Sequence, residues 1–583
     1  MVSCFKSLYT FGRNRGLYIP YLHNIHGLYI RDKTSLRIFR RGAVCMDGEQ
    51  CALIGRKTLR RSMLEINGSA IDAAIASMIC NGLINMQSMG FGGGFLMTIY
   101  QQASQEAVIL DARESAPRAA RADIYDDLPS IASQIGPLAI AVPGELAGYW
   151  KAHERFGKLP WADLFKPSIK MCETGYNLTK YQRDSLGISS QAVRMDPTLR
   201  SWFVDEKTGD FHPLGTIIRP VKLCDTMRLI AAGNATEFYN GNLGRIFVED
   251  LKNRGSILTQ EDLSAYRAKW AKPISTKFST GEILYTVNSP GSGPILAFLL
   301  NILDGFEFGI SSLTTRNETL KTYQRILEAF KYAYALRNEL ADPSYVDLSH
   351  LLRNLTSKNF ADEVRRKIND HQTSNDPRHY GAVFGPDGTG DHGTAHISIL
   401  APNGDAVSVT SSINLHFGSG VVSERTGILT SSSMDDFGMS SRINYQDLPS
   451  SSNNRIEPGK RPLSSMTPSI IVDPKGDVRI VIGAAGGSRI TTAIAYVIVR
   501  HLWMKQTIKE AVDAARIHHQ LIPMRISYEY GVPKPLLDGL RAMGHDTWRY
   551  RDRGSVVGAI VRVNGTIYAN ADYRKGGDVY GLD

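Results

Sequence analysis

TAHISILAPNGDAVSVTS, residues 394–411, is the stretch that decides the fold. Polar and apolar side chains alternate over residues 394–400 and again over 406–411, as in strands that bury one face. Pro402-Asn-Gly-Asp405 between them is a turn sequence. The stretch therefore predicts a β-hairpin whose first strand is half-buried and begins at Thr394.

The residues before Thr394 have a different composition. Residues 369–393 read NDHQTSNDPRHYGAVFGPDGTGDHG, which is rich in Gly, Pro, Asp, Asn and His. This composition is typical of an exposed, flexible loop. A flexible linker is therefore expected to end where the strand begins.

The net charge of +10 is concentrated near the N-terminus of the 583-residue chain. Residues 1–42 hold eight Lys or Arg residues against Asp32 alone, which gives +7 and leaves +3 for the rest. That remainder is too small for a nucleic-acid footprint, so no nucleic-acid partner is expected. The basic leader fits either a transit peptide or a mis-assigned start, and ordered sequence is expected from near Gly42.

Two pairs of residues raise the question of a metal site. His392 and His396 have the spacing that binds zinc on a helix. The glutamate of that motif is missing, and on a strand the two residues lie about 13 Å apart. Asp435 and Asp436 fit either a metal site or a solvated turn. We expect no metal and no organic cofactor.

A glycine-rich turn, Gly483-Ala-Ala-Gly-Gly-Ser488, separates a predicted strand (478–482) from a helix-like run (490–504). Free backbone N–H groups at such a junction bind anions. A nucleotide-phosphate site, an oxyanion hole and a plain tight turn all remain open. The third glycine of G-x-G-x-x-G and a P-loop lysine are absent, which weakens the nucleotide interpretation.

The N-terminal part predicts a buried helix and two strands. The helix, residues 73–83, follows a capping-box pattern from Ser69 to Asp72. Strands are predicted at 95–100 and 107–110, and helical periodicity dominates from about 140 to 370. Arg113, after the second strand, either binds a substrate carboxylate or is an ordinary surface arginine.

Several motifs occur together in one order. They are Asp111-Ala-Arg-Glu114, Asp391-His-Gly-Thr-Ala-His396, Thr410-Ser-Ser-Ile-Asn414, Met434-Asp-Asp-Phe437, Pro462-Leu-Ser-Ser-Met466, Gly483-Ala-Ala-Gly-Gly487 and Arg574-Lys-Gly-Gly577. This set of motifs, in this order, resembles the γ-glutamyltransferase family of N-terminal-nucleophile hydrolases. The resemblance runs from about Gly42 to Gly577. It implies an α+β fold, a four-layer αββα sandwich built by a large subunit (43–393) and a small subunit (394–583) cut from one precursor.

The resemblance also implies the chemistry. Cleavage between Gly393 and Thr394 would free an α-amine with an ordinary pKa of about 7.7–8.0, which can serve as base for the Thr394 hydroxyl. Thr394 would attack the γ-carbonyl of glutathione or another γ-glutamyl compound. Water, an amino acid or a dipeptide would then take the γ-glutamyl group. Ser412 is expected to hydrogen-bond the nucleophile, and Gly486 and Gly487 are expected to form the oxyanion hole.

Further positions are expected, by resemblance, to hold the two charges of the glutamyl head group. The α-carboxylate is assigned to Arg113, Ser464 and Ser465, and the α-ammonium to Asn414 and Asp436. Ser433 lies where the family usually has Glu or Gln, which predicts weaker donor binding. His416 lies where a tyrosine is common, so gating or acceptor choice is expected to differ.

Cysteines and glycosylation sequons bear on location. Composition alone indicates six ordinary thiols, since no C-x-x-C pair occurs among Cys4, Cys45, Cys51, Cys80, Cys172 and Cys224. The resemblance pairs Cys51 with Cys80 in a disulfide. Six N-x-S/T sequons permit glycosylation: Asn67, Asn177, Asn234, Asn317, Asn354 and Asn564. We expect an extracellular or cell-surface location, although no apolar signal anchor is visible.

Two other functions compete with this interpretation. One is a related acylase that acts on glutaryl or cephalosporin-like amides. The other is an unprocessed homologue that serves as an interaction scaffold. Arg113, Asn414 and Asp436 together favour an amino-acid head group and so argue against the acylase.

Overall fold

The computed structural model describes residues 36–64, 68–385, 393–439 and 448–583. Its strands are β1 (Arg37–Phe39), β2 (Gly42–Met46), β3 (Gly94–Gln101), β4 (Glu106–Ala112), β5 (Tyr176–Asn177), β6 (Ile217–Ile218), β7 (Lys269–Ala271), β8 (Ile274–Lys277), β9 (Ile283–Thr286), β10 (Gly393–Leu400), β11 (Ala406–Asn414), β12 (Ser469–Val472), β13 (Val478–Ala485), β14 (Ile517–His518), β15 (Ile526–Tyr528), β16 (Thr547–Arg549), β17 (Val556–Val563), β18 (Thr566–Asn570) and β19 (Asp578–Leu582).

The α-helices are α1 (Glu49–Leu64), α2 (Ala70–Ile84), α3 (Glu145–Phe156), α4 (Trp161–Thr174), α5 (Lys180–Ile188), α6 (Ser190–Met195), α7 (Pro197–Phe203), α8 (Val221–Gly233), α9 (Thr236–Tyr239), α10 (Asn242–Asn253), α11 (Gln260–Ala265), α12 (Gly293–Asp304), α13 (Arg316–Arg337), α14 (Ser349–Thr356), α15 (Lys358–Lys367), α16 (Arg489–Ile498), α17 (Ile508–Asp513) and α18 (Lys534–Ala542). The capping box predicted from Ser69 to Asp72 is present at the start of α2.

Two seven-stranded sheets form the centre of the protein. The first has the order β19-β2-β10-β11-β3-β4-β7, and the second has the order β1-β18-β17-β13-β12-β9-β8. The hairpin predicted after Thr394 is the pair β10–β11, at the middle of the first sheet. Both sheets combine strands from before and after Thr394, so neither is complete without both parts of the chain.

Three apolar clusters define four layers. Helices α1, α2 and α3 pack on the outer face of the first sheet, where Ala395, Ile397 and Ile399 of β10 lie in the same cluster. Helices α12 and α16 cover the second sheet in the same way, and α13 packs on α12. A third cluster lies between the sheets and includes Leu400 of β10 and Val481 of β13. This arrangement confirms the expected αββα sandwich.

The expectation that β10 is half-buried is wrong. Every residue of this strand is buried, because its polar side faces the second sheet instead of solvent. The polar groups are satisfied there: Ser398 Oγ lies 3.3 Å from Val481 O, and His396 bonds Thr410 and Ser398. Alternation alone cannot distinguish solvent from a polar layer between two sheets.

The linker before Thr394 is only partly what its composition predicts. Residues 369–385 are anchored to α13, whereas residues 386–392 lie outside the described residues. Arg325 of α13 holds Asp370 through two hydrogen bonds of 2.6 and 2.7 Å. Tyr380 is buried and its hydroxyl lies 3.0 Å from Glu328 Oε2 on the same helix. Buried partners therefore fix a segment that was expected to be flexible.

The described fold begins before the expected Gly42 boundary. Strand β1 pairs with β18, and Arg37 donates to Asp578 at 2.7 Å. Across the ranges that the structure describes, no helix is both long and apolar enough to cross a membrane.

Two disulfides tie helices together. Cys51–Cys80 links α1 to α2 with a Cα–Cα distance of 5.5 Å, which confirms the pairing implied by the resemblance. Cys172–Cys224 links α4 to α8 at 5.7 Å and was not expected. The interpretation of all six cysteines as ordinary thiols is therefore wrong. Cys45 is a buried free thiol, and Cys4 lies outside the described residues.

Replacing Cys172 and Cys224 together by Ala is expected to lower the free energy of unfolding by about 2–4 kcal/mol. The cross-link spans 52 residues and restricts the unfolded chain. Urea denaturation without reductant measures the change. Each single variant breaks the same bond and should lose about as much as the double variant; additive single effects would contradict this explanation.

Candidate active site

The candidate nucleophile, Thr394, is the second residue of β10 and is fully buried. A β-bulge lies at this point: Gly393 pairs with Asn414, but Thr394 pairs with Ser412, so Ile413 is skipped. Asn414 adopts a positive φ of 70° to complete the bulge. Such bulges re-aim side chains, and this one brings the Ser412 hydroxyl to the Gly393–Thr394 junction.

Ser412 connects the two sides of that junction. Its hydroxyl oxygen lies 3.1 Å from Thr394 Oγ1, donates to Gly393 O at 2.8 Å and accepts the Asn414 N–H at 2.9 Å. A hydroxyl has one proton to donate and two lone pairs. Since Gly393 O can only accept, the remaining lone pair of Ser412 receives the Thr394 hydroxyl proton. The contact expected between Ser412 and Thr394 is present.

Gly393 is required by its surroundings. A Cβ at this position would lie 2.1 Å from Leu415 O and 2.9 Å from Asn414 O. A real Cβ essentially never approaches another atom this closely, so any side chain would displace the bulge.

A buried ion pair fixes the other side of Thr394. Lys575 Nζ donates to Thr394 O at 2.6 Å and to Asp47 Oδ2 at 2.8 Å. The same carboxylate oxygen accepts the backbone N–H of His396 at 3.0 Å. Lys575 lies just before β19, and Asp47 lies just after β2. Their ion pair therefore connects the ends of these two strands to Thr394 of β10. The motif Arg574-Lys-Gly-Gly577 contains this lysine, but the sequence did not indicate its contact with Thr394.

The glycine turn after β13 lies at the same end of the sandwich as Thr394. Ser398 of β10 contacts Val481 of β13, and the His396 ring packs against Gly483. Moving by two residues along β10 moves the contact by two along β13 in the opposite direction. A further step of the same size leads from Thr394 towards Ala485, the last residue before the turn.

The turn itself is built from glycines in the left-handed region. Gly486 has φ 127° and Gly487 has φ 60°. A Cβ at Gly486 would also approach Ser555 Cα within 2.8 Å. Helix α16 begins at Arg489, so the turn is the helix N-terminus that the sequence predicted.

Both ring nitrogens of His396 are occupied by hydrogen bonds to neighbouring side chains. Its ring nitrogens lie 2.9 Å from Thr410 Oγ1 and 2.8 Å from Ser398 Oγ. Burial lowers its pKa to about 3, so the imidazole is neutral. The alternative partner for a zinc ion, His392, lies outside the described residues. Among the residues with described positions, no three His, Cys, Asp or Glu side chains could share a metal.

Arg113 is the centre of a second buried cluster of hydrogen-bonded polar side chains, separate from the one around Thr394. The side chain is 1% exposed, which excludes the surface-arginine interpretation. Arg113 Nη1 donates to Glu114 Oε2 at 3.0 Å and to Ser433 Oγ at 3.3 Å, and Nη2 pairs with Asp436. Ser433 in turn donates to Glu114 Oε1 at 2.7 Å. Three predicted donor-binding residues therefore meet here, together with Glu114, whose role the sequence did not indicate.

Two other predicted residues, Asn414 and Ser464, lie near the clusters around Thr394 and Arg113. Asn414 Nδ2 donates to Ser432 O at 2.9 Å, which joins the bulge to Ser433. Arg113 Nε donates to Pro462 O at 3.4 Å, two residues before Ser464. Ser464 Oγ accepts the Met466 N–H at 3.2 Å.

Ser465 has a charged partner that the sequence did not reveal. Arg337, the last residue of α13, donates from Nη2 to Ser465 Oγ at 2.7 Å. A second guanidinium thus lies beside the predicted carboxylate-binding serines. It is nearly 130 residues away in the chain and carried no motif.

Replacing Ser433 by Glu is expected to lower the thermal stability and, contrary to the expectation from the resemblance, to leave donor affinity no better than that of the wild type. The new carboxylate would be buried within hydrogen-bond reach of Glu114, and like charges at that distance repel. Differential scanning calorimetry and KM for a γ-glutamyl anilide measure the two effects. Ser433→Gln is the matched control for size, and a Glu variant as stable as the Gln variant would contradict the expectation.

Glu145 lies behind the hairpin β10–β11. It is fully buried, and its carboxyl group contacts Ser411 at 2.9 Å and Tyr149 OH at 2.6 Å. Burial raises the pKa of Glu145 to about 8, against 4.5 for the ordinary group. The folded protein therefore keeps a proton here that the unfolded chain releases, so the contribution of Glu145 to the free energy of unfolding falls as the pH rises from about 5 to 8.

The Glu145→Gln variant is expected to lack this falling contribution, so its free energy of unfolding should increase relative to that of the wild type as the pH rises from 5 to 8. The amide keeps both hydrogen-bond partners but has no proton to lose. Urea denaturation at pH 5, 6, 7 and 8 measures the slope. Glu154→Gln, at an exposed position of the same helix, should keep the wild-type slope; equal slopes in all three proteins would contradict the assignment.

The sequence is similar to known proteins over most of its length. A family model described as gamma-glutamyltranspeptidase matches residues 51–582. Scoloptoxin SSD14 of Scolopendra dehaani is 42% identical over 545 residues, covering 93% of each chain. Glutathione hydrolase 2 of Arabidopsis thaliana is 36% identical over 516 residues, which is 88% of this chain and 86% of that protein.

A solved structure agrees on the fold. The cephalosporin acylase from Bacillus halodurans superposes with a TM-score of 0.80, covering 98% of this chain and 100% of its own. At 22% identity, this likeness shows a shared fold and nothing about substrate. The sequence matches, by contrast, extend over nearly the entire length. The chain belongs to the gamma-glutamyltranspeptidase family.

Proposed function

We propose that the protein is a γ-glutamyltransferase and glutathione hydrolase that cleaves itself between Gly393 and Thr394. The observation that carries the proposal is the Ser412 hydroxyl, which bridges the Thr394 hydroxyl and the Gly393 carbonyl. The names of relatives such as glutathione hydrolase 2 support the substrate class.

In the proposed self-cleavage, Thr394 Oγ1 attacks the Gly393 carbonyl carbon. The hydrogen bond from Ser412 draws electron density towards Gly393 O, and Ser412 accepts the Thr394 proton on its other side. The C–N bond then breaks, the proton taken from Thr394 passes to the peptide nitrogen, which leaves as the amine of Thr394, and an ester forms. Water then hydrolyses the ester, which gives a large subunit (43–393) and a small subunit (394–583).

In the mature reaction, the freed α-amine of Thr394 is the base that the peptide nitrogen could not be. The threonine oxygen attacks the γ-carbonyl of glutathione, and the amine of the remaining dipeptide leaves. Gly486 and Gly487 are the proposed donors to the oxyanion; losing one such donor typically costs about 2.7–4 kcal/mol. Water, an amino acid or a dipeptide then takes the γ-glutamyl group.

The charges of the second group support an amino-acid head group. Arg113 pairs with two carboxylates, Glu114 and Asp436, and a second guanidinium, that of Arg337, contacts Ser465. Such a balanced set suits a zwitterion, whose α-carboxylate would meet Arg113 and the serines 464 and 465. Its α-ammonium would meet Asp436 and Asn414. A glutaryl group has no ammonium, so it could not use the carboxylates of this set.

An anilide panel and a denaturing gel test the proposal. The purified protein should hydrolyse γ-glutamyl anilides much faster than glutaryl anilides, whereas an acylase would show the reverse. Intact-mass and N-terminal analysis should find a chain that begins at Thr394. One uncleaved chain without activity would instead support the scaffold alternative.

We further propose an extracellular or cell-surface location. Two disulfides in the part before Thr394 support an oxidising compartment. Three of the sequon asparagines, Asn177, Asn317 and Asn564, are exposed and can accept a glycan. Asn67 lies outside the described residues. Digestion of the mature protein with a glycosidase, followed by mass measurement, tests the proposal.

A further inference from the structure

Arg553 lies one aromatic ring away from the group that holds Thr394. Its Cζ is 4.6 Å from the centre of the Tyr181 ring, on α5. Lys575 Nζ is 4.9 Å from the centre of the same ring and donates to Thr394 O. The ring therefore links Arg553 to the carbonyl of the candidate nucleophile.

A second set of contacts places Arg553 beside the glycine turn. The next two residues, Gly554 and Ser555, pack against Gly486: a Cβ built there would lie 2.8 Å from Ser555 Cα and 2.9 Å from Gly554 O. Arg553 thus adjoins both the nucleophile's support and the proposed oxyanion hole. The contacts with Tyr181 and with Gly486 involve different parts of the chain, and both place Arg553 near Thr394.

The charge around Arg553 is not balanced. Arg553 and Lys180 share a single carboxylate, Asp184, which Lys180 contacts at 2.9 Å. Arg553 is 32% exposed, so solvent and small molecules can reach it. If Arg553 turned towards an anion, Lys180 would still neutralise Asp184. The cluster therefore has one positive charge in excess, next to the reacting groups.

We propose that Arg553 binds the C-terminal carboxylate of the peptide that leaves from glutathione, and of the dipeptide that enters as acceptor. The inference rests on the proposed function and names a specificity-determining residue for it. The leaving dipeptide spans about 7 Å when extended, which suits a cation one ring away from the nucleophile. The leaving and entering dipeptides use the same position, because transfer is the reverse of the first step.

The test compares glutathione with glutathione whose glycine carboxylate is an amide, using kcat/KM for each. The wild type should prefer the carboxylate form by about tenfold or more, the value of a charge-assisted hydrogen bond. Arg553→Gln should lose this preference, and Arg553→Lys should keep part of it. Arg551→Gln removes a charge at an exposed position nearby and should keep the whole preference.

Each outcome decides the matter. Equal rates of the wild type with both peptides, or an Arg553→Gln enzyme that keeps the preference, would overturn the inference. So would an equal loss with both peptides and with a γ-glutamyl anilide, since that pattern indicates a structural role. A wild type that hydrolyses no γ-glutamyl anilide at all would overturn the proposed function, and a missing preference in an active enzyme would overturn this inference alone.

Discussion

The Thr394→Ala variant is expected to remain a single chain and to show no γ-glutamyl transfer. Alanine removes the hydroxyl that would attack the Gly393 carbonyl and that lies within hydrogen-bond reach of Ser412. Without cleavage, residue 394 also keeps an amide nitrogen, which is not a base. A denaturing gel and an assay with a γ-glutamyl anilide measure the two losses.

Thr394→Ser is the control that keeps a hydroxyl. It should be cleaved, more slowly than the wild type, since the missing methyl group leaves the hydroxyl less fixed. If Thr394→Ala protein were cut at the same bond, an external protease would be responsible and the self-cleavage proposal would be wrong. Incubation of purified precursor distinguishes the two routes.

The Lys575→Met variant is expected to lose about 3–5 kcal/mol of unfolding free energy, because it leaves the buried Asp47 carboxylate without its cation. It should also be cleaved slowly, since the hydrogen bond to Thr394 O is lost. Urea denaturation of the cleavage-blocked Thr394→Ala background gives the stability change without interference from processing. A time course of precursor disappearance gives the cleavage rate.

Adding Asp47→Asn to Lys575→Met separates these effects. Asparagine is neutral and can still accept the His396 N–H, so much of the stability should return. The contact with Thr394 remains absent, so slow cleavage should persist. If cleavage recovered together with stability, Lys575 would have only a structural role.

The sequence predicted the catalytic hairpin well because its signals are local. Alternation over 394–411, the turn at 402–405 and the glycines at 486 and 487 depend on neighbours in the chain, and the structure contains each of them. The polar face of β10 was misread as solvent-exposed. Its partner sheet is distant in sequence, and no local pattern reveals it.

Residues whose roles depend on distant partners were missed. Glu114 and Lys575 were quoted within motifs, yet only the fold shows that they contact Ser433 and Thr394. Arg337 carried no signal at all. The Cys172–Cys224 bond was missed for the same reason, since spacing does not reveal which helices pack together. The strands β7, β8 and β9 are short and lie within a region dominated by helical periodicity.

The order of strands in the two sheets has a consequence for the mature protein. Cleavage before Thr394 would give two fragments, and each sheet contains strands from both of them. Strand β10, after the cut, pairs with β2, before the cut, and β12 pairs with β9 in the same way. Such fragments could not separate without breaking both sheets. Once denatured, they would have to find each other again by diffusion, and recovery would depend on protein concentration, whereas the uncut precursor would refold as one molecule. The uncut precursor could thus refold after denaturation at any dilution. The cut protein, at the dilution of an extracellular fluid, would not reassemble once its fragments had separated.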